Sequence, residues 1–419
     1  MKKYIFFVVG VMCTLLSHTA YAIDLNKSDA NIIGHVLEKK TGEHLPYMTV
    51  ALKGTTIGTM TDGTGHYFLK NLPEGEFILS VSAVGYKPQE RKVTLKRGKT
   101  LEENFELEED MVALDGVVVT ANRNETARRL APTLVKVVTP KLFDMTNSHT
   151  LSQGLVFQPG VRVENDCQNC GYSQVRINGM DGKYTQILID SRPIFSALAG
   201  VYGLEQIPAN MIERVEVVRG GGSALFGSSA IAGTVNIITK EPLRNSGSFA
   251  HSISNFDGSG SFDNNTTLNL SLVSSDNKMG AYIYGQNRHR SAWDSNGDSF
   301  SELPKLKNQT VGVNAYYRLS PYSKLNLEYH HMEEFRRGGN RFDLPPHIAE
   351  DANLNGSGEP GLVEQIEHSI NTGGLKFSAF SKDQKHAFNA YASAQHIVRD
   401  SYYSAYGHTT DFTGVLGAQ

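Results

Sequence analysis

From position 246 onward, apolar and polar residues alternate over long stretches. Leu268, Leu270 and Leu272 interleave with Asn269 and Ser271; Val311, Val313, Ala315, Tyr317 and Leu319 interleave with Gly312, Asn314, Tyr316 and Arg318. Leu325, Leu327 and Tyr329 alternate in the same way with Asn326, Glu328 and His330, and Leu375, Phe377 and Ala379 with Lys376 and Ser378. A period of two predicts strands with one greasy and one wet face, and each segment is about the 9–11 residues that a tilted strand needs to cross a bilayer. The connections 275–279, 320–324 and 381–385 are short and polar, whereas 291–308 and 334–365 are long. A water-soluble sandwich would explain the alternation but not this order, which is that of a transmembrane barrel with short turns on one side and long loops on the other. About seven strands are expected over 246–419, with the start of an eighth near Thr410, and the chain stops at "TGVLGAQ" without a final aromatic residue. The barrel is therefore expected to be incomplete, because a closed barrel of about eight strands is filled by its own side chains and could not enclose the preceding domain.

Shorter runs fill residues 30–108. "MTVALKG", "HYFLKNL", "EFILSVSAVGY" and "RKVTLKRG" alternate between turns at Asp62-Gly63, Pro73-Glu74-Gly75 and Gly85-Tyr86, so that Val50 and Leu52, Leu79, Val81 and Ala83, and Val93 and Leu95 point to one core. A small β-sandwich is expected, and "GTMTDGTGHYFLKNLPEGEFILSVSAVGY" resembles the carboxypeptidase-regulatory-like domain. His35 and Glu38 have the His-x-x-Glu spacing of zinc carboxypeptidases, but residues three apart on a strand face opposite ways and cannot share one metal. The sandwich is thus an accessory module rather than a catalytic one. The acidic segment 102–110 is expected to be a solvated linker, and behind it "DGVVVTANR" is a β-branched run with no evident pairing partner.

The chain has 419 residues, ordinary hydrophobic and aromatic content and a formal charge of -3, which gives no electrostatic reason to expect nucleic acid. Its first segment is more informative. Lys2 and Lys3 precede an apolar run over 4–16 that ends in Ala20-Tyr21-Ala22; this is a signal peptide over 1–22, since the run falls short of the roughly 18–20 apolar residues of a membrane-spanning helix. The protein is therefore exported.

Residues 130–242 contain the strand-like runs "QILID", "RVEVV" and "NIITK", suited to a compact mixed sheet. Gly220-Gly221-Gly222 lacks the lysine of a phosphate-binding loop and marks a backbone bend. In order and spacing, "LSQGLVFQPGVRV", "QVRINGMDGKYTQILIDSRPI" and "IPANMIERVEVVRGGGSALFGSSAIAGTVNIITKEP" resemble the plug domain of TonB-dependent outer-membrane receptors. The family more often has Asp-Gly at Asp190-Ser191 and Gly-Pro at Gly220-Gly221. The fold class implied is mainly β: a small sandwich, an α+β plug, and an incomplete outer-membrane antiparallel barrel over 246–419.

The resemblance also gives the unpaired run a role. Asp115, Gly116, Val117, Val118, Val119, Thr120 and Ala121 stand where the family carries the TonB box, which the periplasmic C-terminal domain of TonB captures by strand addition; the alternative is a last strand of the sandwich. Cargo is implied to meet the upper plug loops, which gives Glu164, Asn165, Asp166, Cys167, Asn169, Cys170, Tyr172, Phe195 and Tyr202 as candidate contacts. Cys167 and Cys170 form either a disulfide of an oxidising compartment or half of a soft-metal site. Asp294, Asn296 and Asp298, and again Asp351, Asn353 and Asn355, alternate oxygens as calcium loops do, but the twelfth position of the second loop is Leu362 rather than a bidentate glutamate, so no metal is assigned. No cofactor and no enzymatic activity are implied. The expected function is TonB-dependent import of a ferric siderophore, haem or cobalamin across the outer membrane of a Gram-negative bacterium, with the sandwich in the periplasm. The alternatives are glycan or peptide import, or a truncated fragment that does not transport.

Overall fold

A computed structural model describes residues 30–83, 86–109, 117–118, 126–127, 135–167, 172–193, 207–227, 229–381 and 386–418. The signal peptide expected over 1–22 lies outside them.

The amino-terminal strands are β1 (Ala30–Glu38), β2 (Thr49–Leu52), β3 (Gly58–Met60), β4 (His66–Leu72), β5 (Gly75–Ser82), β6 (Gln89–Leu95), β7 (Thr100–Glu102) and β8 (Phe105–Leu107). They form two sheets, β3-β2-β5-β6 and β4-β1-β7 with β8 also on β1. Val50, Leu52, Leu79, Val81, Val93 and Leu95 are buried together between them, and Ala83 packs at the margin. The expected core is therefore the observed one.

The acidic segment is not a linker. Thr100–Glu102 and Phe105–Leu107 pair in parallel with the two halves of β1, and Phe105 and Leu107 are fully buried while Glu106 faces solvent. The acidic residues dominate the composition, but their alternation with Leu101, Phe105 and Leu107 is that of a half-buried strand. Between these two strands the chain crosses directly over Gly34, where a Cβ would stand 1.8 Å from the Glu103 carbonyl oxygen. Only glycine permits that approach.

After β9 (Val117–Val118) and β10 (Thr126–Ala127), the middle of the chain folds as β11 (Val135–Val138), β12 (Val161–Cys167), β13 (Tyr172–Ile177), β14 (Thr185–Ile189), β15 (Arg192–Pro193), β16 (Ile212–Arg219) and β17 (Gly233–Thr239), with short helices over Pro140–Met145, Leu151–Leu155 and Ser223–Phe226. The main sheet has the order β11-β16-β17-β14-β15, in which only β14 and β17 are parallel. This is the expected mixed sheet, with Val215, Val217, Val235 and Ile237 at the centre of its core. Gly220 takes a φ of +98° at the end of β16, which accounts for glycine at the bend.

Eight strands, β18 (Ser246–Asn255), β19 (Phe262–Val273), β20 (Met279–Arg290), β21 (Lys305–Ser320), β22 (Ser323–Gly339), β23 (Val363–Phe380), β24 (Ala387–Tyr403) and β25 (Tyr406–Ala418), pair antiparallel in sequence order. Among the described residues β18 and β25 do not pair with each other, so the sheet is open. β21 to β24 have 16, 17, 18 and 17 residues, longer than a bilayer crossing requires. The reason is visible in the ladder rows. On the outer face Leu272, Ala281, Ala315, Leu327, Leu375, Ala392 and Leu416 are successive cross-strand neighbours. Eight residues further along, about 26 Å, the same face carries Asn264, His289, Lys307, Phe335, Glu367, Asp400 and His408. Hydropathy marks only the apolar part, and the ladder continues beyond it, shortening the loops to 291–304 and 340–362. The order of short turns and long loops also fails twice, because the connections 256–261 and 404–405, on the side of the long loops, are short.

Phe105→Ala is expected to destabilise the sandwich by about 3–5 kcal/mol, against about 0.5 kcal/mol or less for Glu106→Ala, in chemical denaturation of the whole protein followed by protease cleavage within 30–108. Equal sensitivity of the two variants would return 102–110 to the status of a linker.

Candidate functional site

The inner face of the eight-stranded sheet is polar, and the middle domain covers it. One inner ladder row runs Ser271, Tyr282, Asn314, Glu328, Gly374 and Ser393. Tyr282 donates its hydroxyl to the Asn210 carbonyl at 2.8 Å, Asn314 donates to the Lys240 carbonyl at 3.4 Å, and Glu328 receives the Arg192 guanidinium. Asn210 also donates to Asn269 Oδ1 at 2.9 Å and to the Gly285 carbonyl at 3.2 Å.

Glycines make room for these contacts. A Cβ at Gly312 would lie 2.2 Å from the Tyr284 ring, and one at Gly374 would lie 2.5 Å from both Arg192 Nη1 and Glu328 Oε1. Tyr282 and Tyr284, although on the sheet, are buried in the core of the middle domain. The seam is thus apolar at its centre and hydrogen-bonded around it.

Arg192 is aimed by the two-residue turn before it. Asp190 and Ser191 both have positive φ, 47° and 65°, as a tight hairpin between β14 and β15 requires. A serine there lacks glycine's freedom, and side-chain bonds compensate: Ser191 N donates to Asn236 Oδ1 at 2.9 Å, Asn236 donates back to the Ser191 hydroxyl at 3.2 Å, and Asp190 accepts from the amide and hydroxyl of Thr239 at 3.0 and 2.7 Å. The departure from the Asp-Gly of the family is therefore accommodated locally.

At the opposite end of the seam His149 is buried, with Nε2 3.3 Å from the Ser252 hydroxyl and its carbonyl accepting from Gln286 at 3.4 Å. Burial, reinforced by the nearby Arg288 and opposed by Asp263, pushes the imidazole down to about 4. It is neutral in the folded protein near pH 7.

The sequence-predicted contacts are only partly placed. Glu164 lies on β12 between the guanidinium groups of Arg162, at 2.9 Å, and Arg176, so its charge is already neutralised within the hairpin. Asn165, Asp166 and Cys167 continue that strand, with Cys167 opposite Tyr172. Asn169, Cys170, Phe195 and Tyr202 lie outside the described residues, as do Asp115, Gly116, Val119, Thr120 and Ala121. Val117 and Val118 are described and overturn one expectation: they pair antiparallel with Ala127 and Thr126, so the run has a partner in its own chain. Its strand character was legible, whereas a two-residue ladder leaves no periodic signal.

The acidic external loop forms the cluster Asp294, Asp298 and Glu302. Asp294 accepts from the amides of Asn296, Gly297 and Ser299 at 3.2, 2.7 and 2.7 Å. These carboxylates cap the loop's own backbone, and the spacing that resembles a calcium loop is that of consecutive capped turns.

Residues 32–119 match the CarboxypepD_reg-like domain, and residues 127–234 match the TonB-dependent Receptor Plug Domain. The chain therefore carries, in this order, a CarboxypepD_reg-like domain and a plug domain of the kind found in TonB-dependent receptors. It is 32% identical over 229 residues to a Vitamin B12 transporter BtuB of Vibrio vulnificus strain YJ016, covering 48% of this chain and 37% of that protein. A protein of the same name from Photobacterium profundum is 37% identical over 128 residues, 30% of this chain and 20% of that one. Among solved structures, the siderophore receptor PirA from Acinetobacter baumannii superposes with a TM-score of 0.55 at 20% identity, over 70% of this chain and 45% of that one. The unliganded ferric citrate transporter FecA gives 0.55 at 16% identity, over 68% and 43%. The chain therefore spans less than half the length of each of these proteins, and the superpositions speak to the receptor fold.

Two outcomes are expected at the seam. Arg192→Ala, which strands the buried Glu328 carboxylate, should cost about 3–5 kcal/mol of plug retention, whereas a paired Arg192→Met and Glu328→Met replacement should be close to neutral; urea release of the plug, read by limited proteolysis, distinguishes them. Because the folded imidazole of His149 titrates below its ordinary 6.5, the unfolded chain takes up the proton first. Stability present above about pH 6.5 is then lost progressively down to about pH 4, and His149→Asn should remove that part of the acid sensitivity.

Proposed function

We propose that the receptor imports a scarce, bulky nutrient, a ferric siderophore, haem or cobalamin, across the outer membrane with energy delivered through TonB. The observation that carries this reading is a folded plug held against the inner wall of an open transmembrane sheet by separable polar contacts, with a β-branched strand ahead of it. Asp115 to Ala121 form the TonB box. Among the described residues Val117–Val118 pair with β10 alone, which leaves a second strand edge for the periplasmic domain of TonB to extend by main-chain hydrogen bonds. Cargo lands on the outer loops and on the upper plug loops, and this reading includes a disulfide between Cys167 and Cys170. The sandwich, 30–108, stands in the periplasm, the plug spans 130–242, and the sheet from 246 onward lies in outer-membrane lipid.

The names of the sequence relatives favour cobalamin within this cargo class. The carboxypeptidase-regulatory-like domain favours a second reading, import of a glycan or peptide. A deletion strain carrying the complete gene is expected to grow on one of a panel of sole ferric-siderophore, haem or cobalamin sources, and Val118→Pro, which removes a ladder donor, should abolish that growth at unchanged surface abundance. Growth restricted to oligosaccharide or peptide would establish the second reading, and undiminished growth of the proline variant would remove Val118 from the coupling segment.

A further inference from the structure

Three histidines that no part of the transport reading uses meet on the surface of the amino-terminal sandwich. His35 on β1 and His66 on β4 are direct cross-strand partners. His44 joins them because the chain after β1 turns back, bridging Leu37 to His44 and bonding Leu45 N to the Val36 carbonyl at 2.8 Å. The close approach requires Gly65, whose φ is +78° and whose Cβ, if present, would stand 2.8 Å from the Cβ of His44.

The ring centroids are 5.2 Å apart for His35 and His44, 5.7 Å for His35 and His66, and 4.9 Å for His44 and His66. Zinc–imidazole bonds of about 2.0–2.1 Å in a tetrahedral site place ring centroids roughly 3.2 Å from the ion and hence roughly 5 Å from one another. The spacing already fits. The orientations do not, because the His44 and His66 rings stack at 27°, so convergence of the nitrogens requires rotation of the exposed His44 ring toward a His66 ring that keeps its contact with Thr64.

A second feature prepares one ligand. Thr64 donates its single hydroxyl proton to Asp62 Oδ1 at 2.6 Å, and Asp62 also accepts from the amides of Thr64 and His66 at 2.8 and 3.1 Å. With its proton committed, Thr64 Oγ1 can only accept in its 3.1 Å contact with His66 Nδ1. The His66 proton is thereby assigned to Nδ1, and Nε2 presents a lone pair. An outer carboxylate and hydroxyl that fix an imidazole tautomer are the arrangement found behind metal-bound histidines.

We propose that His35, His44 and His66 form a site for a divalent late first-row metal ion, Zn²⁺ or Cu²⁺, on the sandwich, with Asp62 and Thr64 as positioning residues and the fourth coordination position open to water or an external ligand. Three neutral imidazoles select such ions over the hard, oxygen-seeking Mg²⁺ and Ca²⁺. The site is independent of the cargo and of the plug.

The full chain, purified in detergent and stripped of metal, is titrated calorimetrically with Zn²⁺, and Cu²⁺ is added separately for electron paramagnetic resonance at pH 7. One Zn²⁺ site is expected that disappears in His44→Ala/His66→Ala, weakens about 10–100-fold in Thr64→Val, and persists in Asp294→Asn/Asp298→Asn; the Cu²⁺ spectrum should show nitrogen splitting from imidazole. Zn²⁺ should also shield these three histidines of the unmodified protein from diethylpyrocarbonate, read by mass spectrometry, an outcome that depends on no variant folding. Unchanged carbethoxylation with Zn²⁺ present, or a Zn²⁺ site that survives loss of His44 and His66, would reduce the cluster to stacked rings.

Discussion

The alternation of side chains along eight paired strands is the constraint on which the rest of the molecule depends. A ladder that points Leu272, Leu327 and Leu375 outward must point Ser271, Glu328 and Lys376 inward, so the face that suits lipid creates a polar face that needs another cover. The plug provides it. The same ladder leaves edges at β18 and β25, and backbone N–H and C=O groups exposed in hydrocarbon cost several kcal/mol each. The sheet therefore crosses a bilayer only with both edges paired.

How the plug meets that inner face matters as much as that it does. A seam made wholly of interlocking aliphatic side chains would be worth about 25 cal/mol for each Å² removed from water and would be difficult to part. Here much of the seam is instead Asn210, Asn314, Tyr282 and the Arg192–Glu328 pair. Buried ion pairs contribute little net stability while they are intact and cost several kcal/mol when half-removed, so the pair fixes the register of plug and wall more than it glues them. The sandwich is placed in a comparable way, through Thr56 N to the Pro321 carbonyl at 2.8 Å on the short turn between β21 and β22, and through Arg318, near the end of β21, to the Gly58 carbonyl at 3.3 Å.

What could be read from sequence follows from the range of each interaction. Strands β19 and β21 to β23 were legible because alternation is a local property, and the plug because its motifs are contiguous. The parallel pairing of Phe105 and Leu107 with β1 was obscured by the glutamates between them, and the β9–β10 ladder is too short for any period. Arg192 could be suspected as a charged residue behind a tight turn, but its partner stands 136 residues away. The histidines at 35, 44 and 66 show the limit most clearly. Testing His35 against Glu38 considered spacing along one strand, whereas strand pairing assembles the histidine cluster that the fold contains.

The topology of the plug sheet also determines how the proposed coupling would act. In the order β11-β16-β17-β14-β15, the chain from the TonB box enters at one edge, β11, and Arg192 holds the wall from the other, β15. Tension at residues 115–121 cannot reach the Arg192–Glu328 pair except across the whole sheet. The four-residue ladder of β11 on β16, Val135 opposite Val218 to Val138 opposite Val215, lies first in its path. Peeling that short edge strand breaks its few main-chain bonds one after another, whereas freeing the opposite edge requires the central strands to yield together. Under the proposed coupling, a pull delivered through the amino-terminal segment would open the plug from the β11 edge while Arg192 still held the remainder to the wall, which would make a local opening, rather than ejection of the whole domain, the mechanically cheaper response.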